Sequence, residues 1–303
     1  MAETFQASVI ATFGRQLIVR DGGGREMRAR PFGRALTVVC GDEVRCRIDA
    51  HHDEVHVIEV LPRRTALYRA GSRGASEPIV ANLTELLVML APLPAPELFV
   101  IDRYLAAARS AGVSAALILN KIDLGIDATL RAALESYAAA PYEIVHCSAQ
   151  TGEGLAALRA RLTPGAVAAL VGQSGVGKSS LVRYLVPRAE IEIGALARTR
   201  DGRHTTSAAR RFDLEHGAAL IDSPGVRDFT PAAAMLDERT LGFPEVERLA
   251  SACRFKDCRH MREPGCAVRA AAESGLFGAR RYESYRRLRR LRDEQSALHR
   301  APA

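Results

Sequence analysis

Over residues 7–60 apolar and polar side chains alternate in short stretches cut by turn residues. Candidate strands fall at 8–13, 16–20, 26–30, 35–39, 43–48 and 54–61, separated by Asp21-Gly22-Gly23-Gly24, residues 31–33, Gly41-Asp42 and the polar residues 49–53. About five strands in some sixty residues are what a small OB-like β-barrel requires. Residues 62–77, with Arg63, Arg64, Arg69, Gly71, Arg73 and Gly74, read as a basic, flexible connection. The pattern then changes. Apolar runs of strand length (83–90, 115–119, 143–146, 166–171, 218–221) alternate with amphipathic helices (96–111, 128–139, 154–161, 178–185). This alternation predicts an α/β domain whose parallel sheet is covered on both faces. Past Pro231 the chain turns helical and basic around a cysteine cluster. A multidomain chain follows: a barrel over 1–68, a linker over 69–77, a central α/β domain over 78–236 and a mainly helical domain over 237–303.

Composition narrows the classes. With 48% hydrophobic and 25% charged residues among 303, the chain is globular rather than disordered. Its first ten residues lack the basic and apolar regions of a secretory signal. The most apolar stretch, 83–101, is broken by Glu85, Glu97 and three prolines, so no membrane span and no membrane partner are expected. Six cysteines without a secretory address point to thiols or a metal, and the chain reads as cytoplasmic. The net charge of +7 is uneven: residues 1–70 carry +2, residues 71–236 balance, and residues 237–303 carry +5. A basic end beside a neutral middle suggests a polyanionic partner. Only three of the 42 basic residues are lysines: Lys121, Lys178 and Lys256.

Gly172-Gln173-Ser174-Gly175-Val176-Gly177-Lys178-Ser179, with Ser180 behind it, fits G-x-x-x-x-G-K-[ST] between a predicted strand and a predicted helix. Glycines let successive backbone N–H groups converge on phosphate oxygens, and the helix N-terminus adds its dipole. Lys178 supplies a point charge for the β and γ phosphates, and Ser179 a Mg²⁺ ligand. The base is read elsewhere. Asn120-Lys121-Ile122-Asp123 follows the strand at 115–119. The Asp123 carboxylate suits guanine, which presents N1–H and a 2-amino group as adjacent donors; facing adenine it would be left unpaired. Lys121 can lay its stem over the ring, and Asn120 can brace the neighbouring loop. Ser148-Ala149-Gln150 supplies a second base-contacting loop, with the Ala149 N–H placed for guanine O6. Asp222-Ser223-Pro224-Gly225 fits D-x-x-G, where Asp222 reaches Mg²⁺ through water and the Gly225 N–H meets the γ-phosphate. In Gly202-Arg203-His204-Thr205-Thr206, either Thr205 or Thr206 is a candidate for closing on Mg²⁺.

In ordinary small GTPases the phosphate loop comes first and the base-reading loops last. Here Asn120–Asp123 and 148–150 precede 172–179, and 222–225 comes last. Permutation at exposed loops leaves the packing of such a sheet intact. In that order of motifs, and across nearly its whole length, the chain resembles the circularly permuted, ribosome small-subunit-dependent GTPases of ribosome maturation. The resemblance implies a P-loop GTPase between a barrel and a zinc-bearing domain, with the small ribosomal subunit and its rRNA as partners. The family commonly has a third threonine after the pair, where this chain has Ser207. After Gly225 stands Val226, where Ras-like enzymes place the glutamine that orients the attacking water, so slow intrinsic hydrolysis is expected. His204 or a partner's group would orient that water.

Cys253, Cys258, His260 and Cys266 lie within fourteen residues, a donor set suited to tetrahedral Zn²⁺ with no open position. The resemblance implies the same four ligands. Cys40, Cys46 and Cys147 fall in or beside predicted strands and read as core thiols. Arg280, Arg281, Arg286, Arg287, Arg289, Arg290, Arg292 and Arg300 crowd a C-terminal helix with one apolar stripe of Tyr282, Tyr285, Leu288 and Leu291; the expectation is contact with RNA phosphates. The reading is a monomeric, Mg²⁺-dependent GTPase acting late in small-subunit maturation. Its rivals are a metal-delivery GTPase and a guanine-nucleotide-sensing RNA-binding module with negligible turnover.

Overall fold

The structure is a computed structural model that describes residues 4–33, 35–49, 54–71, 75–138, 140–186, 208–222, 224–227 and 229–300. The alternating N-terminal segments form β1 (Thr4–Phe13), β2 (Gln16–Asp21), β3 (Glu26–Pro31), β4 (Glu43–Asp49) and β5 (Glu54–Val60). β1 pairs with both β2 and β4, β2 with β3, β4 with β5, and β3 runs parallel to β5, so the five strands close on themselves. Val9, Leu17, Val19, Val44, Cys46 and Val57 fill the interior. Residues 35–39, expected as a strand, carry none. The Val39 amide donates instead to the Asp42 carboxylate (2.8 Å), which also receives the Arg63 fork at 2.7 and 2.9 Å. A side chain has taken the donor that a ladder would need.

The connection is not a free linker. β6 (Ala66–Ala70) pairs antiparallel with β7 (Ser76–Ala81), and Leu67 and Val80 turn inward at 1% and 0% exposure. Arginines and glycines hide this alternation, which is only one or two apolar positions deep per strand.

β8 (Glu85–Leu90), β9 (Ser114–Leu119), β10 (Glu143–His146), β11 (Val167–Val171), β12 (Ala208–Asp213) and β13 (Ala219–Asp222) make the central sheet in the order β10-β9-β8-β11-β13-β12. All neighbours are parallel except β12, which runs antiparallel to β13. Helices α1 (Leu98–Ser110) and α2 (Ala128–Ala138) cover one face through Tyr104, Leu105, Leu134 and Tyr137. On the other face α3 (Leu155–Arg161) and α4 (Lys178–Leu185) pack Leu158, Leu181 and Leu185. Burial on both faces is why these strands read as continuous apolar runs. β12 escaped the sequence reading because its Ala-Ala-Arg-Arg-Phe-Asp pattern is not apolar. It also pairs with β1 (Ala11↔Arg210, Phe13↔Ala208), which joins sheet and barrel into one eleven-stranded sheet.

The C-terminal region packs α5 (Pro244–Leu249), α6 (Ala267–Glu273) and α7 (Ala279–Arg300) around Phe243, Val246, Val268, Phe277, Tyr285 and Leu288. Here the structure narrows the expectation of an RNA-facing arginine helix, because some of its arginines are buried. Arg281 and Arg289 are 2% and 3% exposed. Arg281 donates to Glu245 of α5 and to Asp102 of α1 (2.7 Å), while Arg280 joins the same Asp102 at 2.7 Å. Arg289 caps the Glu238 and Arg239 carbonyls, and Arg287 stacks on the Phe99 ring at 3.9 Å. Arg286 and Arg290 pair with Glu283 on the helix itself. Much of the charge on α7 therefore docks the helix onto its own chain. Burial alone would lower the pKa of Arg281, but its bonds to Glu245 and the nearby Asp102 charge raise it instead. Arg281→Ala leaves two buried carboxylates short of a partner and should cost about 3–5 kcal/mol, at the low end because Arg280 remains on Asp102. A urea denaturation series measures this; a loss within ~0.5 kcal/mol, the level of an ordinary surface substitution, would contradict it.

Candidate functional site

Strand registers bring four motifs to one edge. Val171 lies level with Val88, Leu90 with Leu119, and Leu119 with His146, while Ala169 lies level with Ile221. The loops that follow β8, β9, β10, β11 and β13 thus open together at the carboxyl ends of parallel strands, where α/β sheets bind ligands.

In the phosphate loop, Gly172 has φ +146° and Gly177 φ +96°. A Cβ at Gly172 would run into the Met89 carbonyl, and one at Gly177 into Asn120 Nδ2, so neither position admits a side chain. Gly175 (φ +83°) and Ser174 are exposed, whereas Val176 is buried in the core behind the loop. Lys178, only 9% exposed, donates from Nζ to the Gly172 carbonyl and to that of Gln173 (2.7 Å). The Gln173 amide is committed at both ends, to the Ala95 carbonyl (2.9 Å) and the Glu97 amide (2.8 Å). Ser180 donates its amide to the Gly177 carbonyl as α4 begins.

Asn120 joins the loops after β9, β10 and β11. Fully buried, it donates to the Val176 carbonyl (2.9 Å) and accepts from the Ala149 amide (3.0 Å), tying all three loops together. Lys121 takes a left-handed backbone (φ +61°) and reaches the Leu93 carbonyl at 3.0 Å. Asp123 faces solvent and accepts from the Ser148 hydroxyl, which in turn accepts from the Gln150 and Thr151 amides. A bond network therefore fixes the direction of the exposed carboxylate.

Asp222 ends β13, and the single helical turn Pro224–Arg227 follows, holding Gly225. Asp222 and Ser179 are all-oxygen donors of the kind Mg²⁺ takes, and both converge on one group, the guanidinium of Arg227. The sequence reading gave Arg227 no role; only an arginine two residues past the D-x-x-G motif hinted at it. Val226 is 1% exposed and packs into the core below the sheet edge. His204, Thr205 and Thr206 lie outside the described residues, as does Ser223.

The metal cluster forms as expected. The ligand atoms of Cys253, Cys258, His260 and Cys266 lie within 4.8 Å of one another, and His260 Nδ1 stands 3.5 Å from both Cys253 and Cys266 Sγ. Sulfurs at ~2.3 Å and nitrogen at ~2.0 Å from a central Zn²⁺ require separations of that order. Tyr282 and Tyr285 donate to the His260 and Arg259 carbonyls from α7, and the Arg269 amide donates to Cys266 Sγ. Burial lowers the His260 imidazole to about 4, so it stays in the neutral form that ligates. Burial also pushes the Cys258 thiol upward, and ionising it there is work for a metal. Glu263, unnoticed in the sequence, closes the loop. Burial would raise its pKa, yet the amides of Arg259, Met261 and Arg262 hold it at about 2. By contrast Cys40, Cys46 and Cys147 are buried singly and pushed up to about 11–12, as core thiols.

A model of the RsgA GTPase family matches residues 60–231, more than half of the chain. The chain belongs to the RsgA GTPase family. Similar proteins include the small ribosomal subunit biogenesis GTPase RsgA of Ectopseudomonas mendocina, 42% identical over 92% of this chain and 83% of its own. That of Chromohalobacter salexigens is 43% identical over 92% and 84%. Among solved structures, YjeQ from Thermotoga maritima superposes with a TM-score of 0.70 at 25% identity, covering 96% of this chain and 99% of its own. YloQ, a circularly permuted GTPase, gives 0.69 at 21%, covering 99% and 97%, which supports the permuted fold. This family member is thus a GTP-hydrolysing enzyme with a permuted sheet. Among its described residues no helix is long and apolar enough to cross a membrane.

Proposed function

We propose that this GTPase acts in maturation of the small ribosomal subunit, hydrolysing GTP slowly alone and faster on the subunit. The observation that carries the reading is that relatives 41–43% identical over 92% of the chain bear the name small ribosomal subunit biogenesis GTPase. Within the site, Asp123 reads guanine with Lys121 over the ring, whereas the Ala149 amide, expected for guanine O6, is held by Asn120 Oδ1 and would have to turn from it to reach the base. Backbone amides within residues 173–179 and the Lys178 ammonium hold the phosphates, since the amides of Gly172 and Ser180 are given to the Arg227 and Gly177 carbonyls. Ser179, and Asp222 through water, would hold the Mg²⁺ that neutralises phosphate charge, while the Gly225 amide meets the γ-phosphate. His204 and Thr205 or Thr206 complete the γ-phosphate side.

Slow intrinsic turnover follows from Val226: a buried valine stands where a polar side chain would orient the attacking water. Help then comes from His204 or from the subunit. The four-ligand Cys/His set leaves no exit for a cargo metal, which disfavours metal delivery. For rRNA contact the barrel now stands ahead of α7. Phe32 is 57% exposed with Arg47 4.9 Å over its ring, a stacking surface near the exposed Arg28 and Arg30. Division into 1–68, 78–236 and 237–303, monomeric state and cytoplasmic location belong to the same proposal; residues 69–70 and 76–77 of the expected linker belong to the paired strands β6 and β7. Purified small subunits should raise the GTPase rate at least about tenfold, with the stimulation falling as KCl rises because phosphate contacts release counterions. Equal rates with small subunits, large subunits or none would overturn it.

A further inference from the structure

Arg227 occupies both ends of the magnesium site. Its guanidinium forks onto the two carboxylate oxygens of Asp222 and donates to Ser179 Oγ at 3.0 Å. Its own carbonyl accepts from the Gly172 amide at 3.2 Å, so the same residue grips the first and last positions of the phosphate loop. We propose that Arg227 is a built-in cation competing with Mg²⁺ for Asp222 and Ser179, so that Mg²⁺·nucleotide binds only as the Arg227 pair breaks.

Charge sets the two states against each other. Mg²⁺ takes oxygens at ~2.0–2.1 Å in a near-octahedral shell and needs the Ser179 lone pair that now faces a guanidinium N–H. Outer-sphere contact would have an Asp222 oxygen accept from a metal-bound water, and each oxygen already carries an Arg227 N–H, which brings the guanidinium charge beside the metal position. Two cations sharing one carboxylate at such range repel. A half-buried arginine (27% exposed) beside a nearly buried aspartate (6%) is therefore a substitute counter-ion, and one that leaves when a better one comes.

The release has somewhere to go. Three residues on, the Thr230 carbonyl accepts from the Ala70 amide at 2.9 Å, and the Ala232 amide donates to the Tyr68 carbonyl at 3.0 Å. Arg69 bridges Pro231 in the same stretch. The segment that Arg227 pins to the phosphate loop is thus hydrogen-bonded to the β6–β7 hairpin, and a change at the metal site reaches that hairpin through a few residues of chain.

The inference rests on Ser179 and Asp222 as the Mg²⁺ ligands. The test titrates MgCl₂ at a fixed concentration of a fluorescent GDP analogue, which avoids turnover, and reads the Mg²⁺ concentration giving half-maximal binding. Arg227→Ala should lower that concentration about three- to tenfold, the range for losing a charge-assisted fork at a partly exposed site. Arg227→Gln, which keeps length and polarity, should shift it the same way and serves if the alanine variant does not fold. An unchanged or higher Mg²⁺ requirement in the folded variant overturns the competition. Asp222→Asn and Ser179→Ala separate the premise: if neither raises the Mg²⁺ requirement, the ligand assignment has failed. If both do and Arg227→Ala does not lower it, only the competition has failed.

Discussion

Replacing Asp123 by asparagine should move the base preference from guanine to xanthine. In the proposed base site the guanine N1–H and 2-amino donors both end on the carboxylate. The carboxamide that replaces it would keep one acceptor and present a donor to the 2-carbonyl of xanthine. A site built for a donor pair rejects the analogue strongly because its own polar atom is left unpaired. The expected loss in GTP affinity is at least about a hundredfold, with xanthosine triphosphate binding better than GTP. The fold should survive. Ser148, which donates to Asp123 Oδ1, can donate equally to an amide oxygen, and Asp123 is exposed. Competition binding against both nucleotides, beside a melting curve, measures this. Unchanged GTP affinity would remove Asp123 from the base site.

The second large effect concerns zinc. The helical region has a small core, and its loop from Cys253 to Cys266 is built of turns and bends, with no helix or strand of its own. In small metal-folded peptides, zinc supplies an apparent ~10–16 kcal/mol. Stripping it, or making Cys266→Ser, should abolish hydrogen-exchange protection over 250–272 and lower zinc content from one ion per chain to none. Tyr282 and Tyr285 lose their ordered carbonyl partners as well, which should loosen the start of α7. Asn120 and Lys178 bond within the sheet edge and not to this loop, so GDP affinity should change little. Full protection in zinc-free protein would make the cluster merely four cysteine and histidine neighbours.

Legibility varied with the kind of interaction. The phosphate loop, the base motif and the metal ligands were readable because each is local: its spacing is its chemistry. The buried strands were readable because burial on both faces writes long apolar runs. Residues 35–39 misled because an alternating pattern cannot reveal that Asp42 and Arg63 will claim the Val39 amide and its surroundings. The β6–β7 hairpin and β12 were missed because half-buried strands carry arginines on their open faces. The arginines of α7 misled most, since a charge in sequence does not say whether it meets water, nucleic acid or a buried carboxylate.

The chain by itself determined a permuted GTPase, the order of its four motifs and a Cys/His set that could hold one zinc, since short-range spacing and apolar period suffice for those. Tertiary structure alone decided where the charges go. Asp102 and Glu245 claim Arg281 across 179 and 36 positions, and Asp222 and Ser179 claim Arg227. Ion pairs form where folding brings low-dielectric neighbours together, and that distance in space is not written in the distance along the chain.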